Sequence, residues 1–528
     1  MNKKQYLLII LIIFLAYLLR ILPYLLGYPI PITDDSLRDF QQVQFMIKNN
    51  AANFSHPYGS FPLLHLVVYL VSRLGFNPLR VFLFIPQIFP CIGILFFYLF
   101  LKKYFPEKHS LFACLLITFF GPHIYWSAQP VRETMGLFFF PLIVYLFDKE
   151  ISNYKQAKIG IINKIFLIAC FVLMILSHHW STLMILGFLF FYLIFMTNNK
   201  KQLFYSLLLF IIFLILTLIY WYIAFPFILR LIIKLAKNLI FLLMGLIFLI
   251  LFLLLIKRFN LNKIKTKLFM IITSLILILI IFLLTKLPVF IYPLQIWIMF
   301  LIYALLILIG FFSTKNKNIN FFSKISLFYI TFMIISIFYI IKGTSISNMP
   351  FDPIRIFEFI IFPCSILASY GLLKIKKIII PFLIIFLLIL GTLIYPPIFV
   401  YKNTFEGTIF YDIRSHIRHI PPEGFELIKY ANEKEINIIS NSPVISEFQN
   451  TFYSKKRHTT VLISEYDYKI QKMYNKVKIK KLGISNPRNL IKDSKKKFLF
   501  FSNSWGRLYK KSGYEIYQLN NNESIYAY

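Results

Sequence analysis

Residues 239–256 read LIFLLMGLIFLILFLLLI, an apolar run that contains no charged side chain. A helix needs about 18–20 apolar residues to cross a bilayer, and several other runs, such as 381–395, approach or exceed that length. The chain of 528 residues is 59% hydrophobic, and a soluble fold could not bury that many apolar runs. The sequence therefore predicts an all-α polytopic membrane domain over residues 1–400.

About thirteen segments, including this one, are predicted to span the membrane. They are 5–27, 81–101, 110–126, 135–148, 165–177, 182–197, 203–222, 239–256, 268–285, 294–312, 325–341, 356–373 and 378–400. The first is interpreted as a retained span, because its apolar run is long and no small-residue cleavage site follows it. Residues 61–76 are assigned to the membrane interface, since a crossing there would invert every later loop.

Lysines set the predicted orientation of these spans. They recur in alternate connections, at 102–108, 149–164, 200–201, 257–267, 315–324 and 374–377, which is typical of cytoplasmic loops. The net charge of +35 is therefore interpreted as a topology signal, and no nucleic-acid partner is predicted. We expect a multi-pass protein of the plasma membrane with a cytoplasmic N-terminus and an external acidic loop at 28–60.

The composition changes after residue 400. Hydrophobic runs shorten to 436–439, 460–463 and 497–502, separated by polar turns and a helix-like stretch at 422–432. These features predict a small soluble α/β domain over 401–528, on the external side because an odd number of spans precedes it.

Acidic residues are rare before residue 401, and they fall into two groups. Glu107, Asp148 and Glu150 lie in predicted cytoplasmic loops, as solvated counter-charges for lysines. The other six are predicted to face outward: Asp34, Asp35, Asp39, Glu133, Asp352 and Glu358. Carboxylates near the hydrocarbon boundary are costly unless paired or functional, so the external group is the best candidate for chemistry.

Arginines share this outward bias, at Arg38, Arg73, Arg80, Arg132, Arg230 and Arg355. The planar guanidinium suits bidentate binding of phosphate or carboxylate, so the bias indicates an anionic ligand on that face. The alternative is that these arginines snorkel to the interface or neutralise neighbouring acids.

Four external segments carry the candidate site: ITDDSLRD at 32–39, WSAQPVRET at 126–134, SHHWST at 177–182 and NMPFDPIRIFE at 348–358. Arg355 and Glu358 are spaced i, i+3, which places them on one helix face. His178 and His179 are predicted in an external hairpin, where they either hydrogen-bond a phosphate or carboxylate or form a structural turn. Their spacing does not support a shared metal ion.

At these residues the chain resembles the membrane glycosyltransferases of the C-type fold (GT-C), which use polyprenyl-phosphate sugars. That superfamily includes protein mannosyltransferases, lipid A aminoarabinose transferases and oligosaccharyltransferase catalytic subunits. The resemblance comprises the loop with Asp34 and Asp35, an interfacial helix after the His56–Pro57 turn, the QPVRET loop at 129–134, and PIRIFEF at 353–359 followed by ASYGL at 368–372. The Trp-Trp-Asp motif of oligosaccharyltransferases has no counterpart, since only Trp505 occurs after residue 401.

The resemblance implies an inverting transfer of a sugar from a polyprenyl-phosphate donor to a hydroxyl acceptor on a lipid, glycan or protein. Asp34 or Asp35 would be the base, with Asp34 slightly preferred, and Glu133 would orient an arginine or the acceptor. The donor phosphate would contact Arg132, Arg355 and His178 or His179, supported by Arg38 and Glu358.

A cofactor is not required by this scheme, although Asp34, Asp35 and Glu133 could hold Mg²⁺ or Mn²⁺. Two other functions stay open. A lipid-linked glycan flippase or transporter would need polar residues near the bilayer midplane, where these spans carry few charges. A non-catalytic membrane scaffold would not need acids and arginines that converge outside.

Overall fold

In the computed structural model the described residues are 3–25, 34–54, 58–152, 157–197, 200–224, 294–313, 321–323, 325–326, 356–375 and 377–393, together with five strands after residue 436. Nearly all of the described chain before residue 401 is helical. The helices are α1 Lys3–Leu25, α2 Asp34–Asn49, α3 Leu63–Arg73, α4 Pro78–Phe84, α5 Ile88–Leu101, α6 Glu107–Phe119, α7 Gly121–Ala128, α8 Arg132–Ser152, α9 Ala157–Ser177, α10 His179–Met196, α11 Lys200–Ala224, α12 Leu294–Ser313, α13 Ile356–Leu372 and α14 Ile379–Leu393.

Apolar helices with exposed apolar faces make this a membrane protein. Among the described residues, four stretches are long and apolar enough to cross a bilayer: Gln5–Leu25, Pro78–Leu101, His179–Met196 and Lys200–Ala224. Leu7 and Leu11 on α1, and Phe204 and Ile223 on α11, are exposed although they are large and hydrophobic. Such surfaces are stable when lipid covers them.

Two predicted spans are interrupted. The span 81–101 is divided into α4 and α5 at Ile85–Gln87, and 110–126 is divided into α6 and α7 at Phe120, whose backbone is extended. Pro86 and Pro122 explain these breaks, because a proline inside a helix removes one hydrogen bond and clashes with the preceding turn. The predicted spans 239–256 and 268–285 lie outside the described residues, as does 325–341 except for its first two residues.

The connection between the first two predicted spans also differs from a simple loop. Sixteen residues of it form α2, a helix that buries Leu37, Phe40 and Val43 on one face. The following helix, α3, has 11 residues and a length of about 16 Å, against about 30 Å for the hydrocarbon core. Helix α3 is therefore too short to cross the bilayer by itself, and the interfacial position of residues 61–76 stays a prediction.

Helix α8 is the main packing element of the described bundle, in contact with α5, α9 and α10. Farther along the chain, α12 and α13 approach each other at Gly310 and Gly371. A Cβ at Gly371 would collide with the Leu306 backbone, which explains why these helices can pack backbone to backbone.

One end of the bundle, the lysine-rich end, is held by buried carboxylates. Asp148 at the end of α8 accepts from Lys103 Nζ at 2.6 Å, Tyr192 Oη at 2.5 Å and the Tyr104 hydroxyl. Glu150 accepts from Tyr205 Oη at 2.6 Å. The prediction that these acids are solvated was wrong, because both are almost fully buried. The interior has tyrosine hydroxyls that replace water as donors.

Residues 401–528 contain five described strands: β1 Asn437–Ser440, β2 Val461–Leu462, β3 Phe498–Phe501, β4 Glu515–Leu519 and β5 Glu523–Ala527. They form one sheet in the order β2-β1-β3-β5-β4, in which β4 and β5 are antiparallel and the other pairs parallel. Strands β1, β2 and β3 coincide with the three predicted hydrophobic runs. The predicted helix at 422–432 lies outside the described residues, so the α/β domain stays a prediction.

Candidate functional site

Asp39 is the buried centre of the candidate site. Asp39 lies on α2 and is 0% exposed, and residues of two other helices contact its carboxylate. Arg132, the first residue of α8, places Nε 2.9 Å from Oδ1 and donates its backbone N–H to Oδ2 at 3.3 Å. His65 on α3 places Nε2 2.9 Å from the same Oδ1. A carboxylate withdrawn from water is stable only with partners of this kind.

Tyr58 connects this ion pair to the start of α2. Its hydroxyl donates to Asp35 Oδ1 and accepts from Arg38 Nη1 at 3.1 Å. Its ring lies under the Arg132 guanidinium, with 4.1 Å from Cζ to the ring centroid. Burial raises the pKa of Tyr58, and the neighbouring Asp35 carboxylate raises it further. Tyr58 is therefore neutral and a hydrogen-bond donor at physiological pH.

Glu133 extends the site towards α10. Its Oε1 lies 3.6 Å from His178 Nδ1, and that nitrogen is also 3.2 Å from Ser181 Oγ. His178 is the extended residue between α9 and α10, which agrees with the predicted hairpin. The ring of Phe61 joins the two halves, because its centroid lies 5.6 Å from Arg132 Cζ and 5.3 Å from the His179 ring.

Six of the nine predicted site residues thus lie in one connected group: Asp35, Arg38, Arg132, Glu133, His178 and His179. Asp34 is the first residue of α2, but its side chain is not among the described parts of the chain. Arg355 lies outside the described residues. Glu358, predicted as a supporting residue at the boundary, is 0% exposed inside the bundle on α13.

Glu358 belongs with a second set of buried polar residues. His123 on α7 is also 0% exposed, and its ring lies 5.5 Å from the ring of Phe362, one turn after Glu358 on α13. Arg20 is 0% exposed and donates from Nε to Ser127 Oγ and from Nη1 to the Ala16 carbonyl, both at 2.7 Å. This set lies near the candidate site, because Ser127 precedes Arg132 by only five residues.

Sequence reasoning did not assign Asp39, His65 and Tyr58 to the site. The signal for Asp39 was present, since it follows Asp35 by four residues and therefore shares its helix face. His65 lies in the segment 61–76, which was predicted at the membrane interface and not in the site. No pattern pointed to Tyr58, because a tyrosine in a loop has no periodicity to reveal its partner.

Among the described residues, no three histidine, cysteine or carboxylate side chains are grouped as metal ligands. The predicted ligand set of Asp34, Asp35 and Glu133 depends on Asp34, whose side chain is outside that part of the chain. In the described part, the Asp35 carboxylate accepts from Tyr58 and Glu133 faces His178. The first contact is a hydrogen bond, and the second is a charge contact of 3.6 Å.

No protein-family model and no curated protein matches the chain. Solved structures of an oligosaccharyltransferase from Archaeoglobus fulgidus are similar to it. The complex with Zn and sulfate is 14% identical over 87% of this chain and 62% of its own, with a TM-score of 0.48. The apo form is 15% identical over 88% of this chain and 65% of its own, with a TM-score of 0.49.

A third structure, archaeal oligosaccharyltransferase AglB from the same organism with an inhibitory peptide and a dolichol-phosphate, is 13% identical. It aligns over 88% of this chain and 65% of its own, with a TM-score of 0.39. This chain therefore spans less than two thirds of the length of the structures to which it is similar. Similarities of this size define neither the fold nor the activity.

Proposed function

We propose that this protein is a membrane glycosyltransferase that moves a sugar from a polyprenyl-phosphate donor to a hydroxyl group of a lipid, glycan or protein. The observation that carries the proposal is the convergence of Asp35, Arg38, Arg132, Glu133 and His178 at one end of an apolar bundle. Buried and half-buried charges at a membrane boundary are costly, so their grouping favours a ligand that uses them. The resemblance of the same segments to GT-C enzymes supports this reaction class.

The proposed reaction is a direct displacement at the anomeric carbon. The acceptor oxygen forms a bond to that carbon while the bond to the phosphate oxygen breaks, and the phosphate leaves with the electron pair. The acceptor proton passes to a carboxylate, either Asp35 or its neighbour Asp34. Direct displacement inverts the anomeric configuration.

Asp35 is suited to the role of base because the Tyr58 hydroxyl, which donates to Oδ1, orients its carboxylate. Arg132 supplies positive charge for the departing phosphate, with Arg355 as the second predicted cation. Glu133 and His178 are proposed to orient the acceptor or the phosphate. A divalent cation on Asp34, Asp35 and Glu133 stays a prediction, and no step depends on it.

The proposed setting is the external face of the plasma membrane, with the N-terminus cytoplasmic and residues 401–528 outside. The lysine-rich end supports this orientation, because Lys103 and Lys164 contact carboxylates at the end of the bundle opposite the site.

The proposal is tested by measuring release of free polyprenyl phosphate by the full-length protein in nanodiscs. Donors are a panel of synthetic polyprenyl-phosphate hexoses and pentoses, with membrane glycolipids and peptides as acceptors. Asp34→Asn and Asp35→Asn keep side-chain size but remove most basicity, so the variant that has lost the base should be slower by about 10²–10⁴-fold. Glu107→Gln, a carboxamide replacement at the lysine-rich end, is the matched control.

Full activity in both asparagine variants would refute the assignment of the base. Absence of release from every donor in the wild-type protein would refute glycosyl transfer itself.

A flippase is the second candidate, and the buried set of Arg20, His123 and Glu358 is the observation that favours it. The position of Arg20 weakens this reading. Arg20 lies only about 8 Å along α1 from Leu25, near the candidate site, rather than at the midplane about 15 Å from either surface. Movement of a fluorescent polyprenyl lipid across proteoliposomes without release of polyprenyl phosphate would favour the flippase.

A further inference from the structure

Asp39 holds Arg132 at two separate points. One carboxylate oxygen pairs with the guanidinium at Nε, and the other accepts the backbone N–H that begins α8. The first contact fixes the side chain and the second fixes the helix end from which it projects. A carboxylate at a helix N-terminus is further stabilised by the helix dipole.

Further contacts restrict the Asp39 carboxylate and the Arg132 guanidinium. His65 approaches Asp39 Oδ1 at 2.9 Å from α3, and both side chains are 1% exposed. On the guanidinium, the Tyr58 and Phe61 rings lie 4.1 Å and 5.6 Å from Cζ. Arg132 is therefore held between a carboxylate and two aromatic rings, with 13% of its side chain exposed. Such a guanidinium is preorganised, so the Arg132 side chain loses little conformational entropy when a ligand binds to it.

We infer that Asp39 is a positioning residue that holds Arg132 for a prenyl phosphate, and that His65 holds Asp39 from the interfacial helix. The inference rests on the proposed function, because the ligand it names is the phosphate of the donor. Asp39 itself acts only through Arg132. This distinguishes it from Asp35, which accepts from the Tyr58 hydroxyl and is proposed to take the acceptor proton.

The experiment measures binding of farnesyl phosphate to the full-length protein in nanodiscs by titration calorimetry. Asp39→Asn should raise Kd about tenfold, because the ion pair that positions the Arg132 guanidinium is lost, and His65→Gln should raise it by a smaller factor. In an Arg132→Gln background, Asp39→Asn should change Kd less than about twofold, because the group it positions is gone. A purely structural role would weaken binding equally in both backgrounds.

Asp148→Asn is the matched control. Like Asp39, Asp148 is a buried carboxylate paired with a cation, but it lies about 23 Å along α8 from Glu133. It should lower thermal stability as Asp39→Asn does and leave the Kd for farnesyl phosphate unchanged.

A second measurement is independent of the ligand. The rate of modification of Arg132 by phenylglyoxal, mapped by mass spectrometry, should rise about tenfold in Asp39→Asn and stay constant in Asp148→Asn. If the wild-type protein does not bind farnesyl phosphate, the proposed function fails while the modification rate still tests the positioning. Unchanged Kd and unchanged modification in Asp39→Asn, or equal loss of affinity with and without Arg132, would overturn the inference.

Discussion

At the scale of the residue, a buried carboxylate forms an ion pair at each end of α8. Asp39 meets Arg132 at its start and Asp148 meets Lys103 at its end. The cations differ in kind. Lys103 is 40% exposed and serves as a hydrated point charge, whereas Arg132 is 13% exposed and stacked on Tyr58. Stacking and fork geometry are properties of arginine that lysine does not share.

This difference gives a prediction for Arg132→Lys and Arg355→Lys. Lysine keeps the charge but loses the fork, so each variant should bind farnesyl phosphate about tenfold more weakly if both arginines approach one cavity. Arg355 lies outside the described residues, so its share in the site stays a prediction. Arg73→Lys is the control, because Arg73 ends α3 with its guanidinium 6.0 Å from the Tyr69 ring and away from the site.

An unchanged Kd in both variants would mean that each arginine is only a boundary charge. Weaker binding in Arg132→Lys alone would show that Arg355 does not contribute to the site.

At the scale of the element, the site depends on how closely α8 and α10 approach. Gly136, one turn after Arg132, faces Ser181 on the first turn of α10. A Cβ at Gly136 would lie 2.5 Å from the Ser181 Cβ and closer still to its hydroxyl. Glycine at this position therefore allows the backbone approach that brings Glu133 to His178.

Gly136→Ala should separate the two helices at the site. Overpacking of this kind costs about 1–3 kcal/mol, so the melting temperature should fall together with transfer activity. The double variant Gly136→Ala with Ser181→Gly removes the opposing Cβ and should recover stability, while Ser181→Gly alone controls for the lost hydroxyl contact to His178. Thermal unfolding in detergent measures these effects. A stable and active Gly136→Ala protein would show that α10 is free to move.

At the scale of the whole molecule, orientation decides whether the site faces the outside. The contacts of Lys103 and Lys164 gather lysine-rich segments at one end, as the predicted alternation of loops requires. Which end faces the cytoplasm follows from the charge rule.

Cysteine labelling tests this orientation. In intact cells a membrane-impermeant maleimide should modify Ser442→Cys in the predicted external domain and spare Lys263→Cys in a predicted cytoplasmic loop. Labelling of the native cysteines should be low, because Cys91, Cys114, Cys170 and Cys364 are all buried. Labelling at Lys263→Cys with protection at Ser442→Cys would invert the topology and remove the case for an external site.

The sequence by itself determined the membrane class and most of the described helices, because apolar length and lysine spacing are local properties of the chain. It also predicted the break at His178 and three of the strands, whereas the interfacial position of residues 61–76 stays a prediction. It also singled out six residues that the structure brings together, because charges near apolar segments stand out against their surroundings; their roles stay predictions.

Only the tertiary structure decided which of these charges meet. Asp39, His65 and Arg132 come from three helices, and no periodicity relates α2 to α3 or α8. It likewise showed that Asp148 is buried, since a tyrosine hydroxyl from α10 can replace water only after the helices have packed. Local patterns record how each segment partitions between lipid and water, whereas a pairing between distant charges depends on the packing of the elements that carry them.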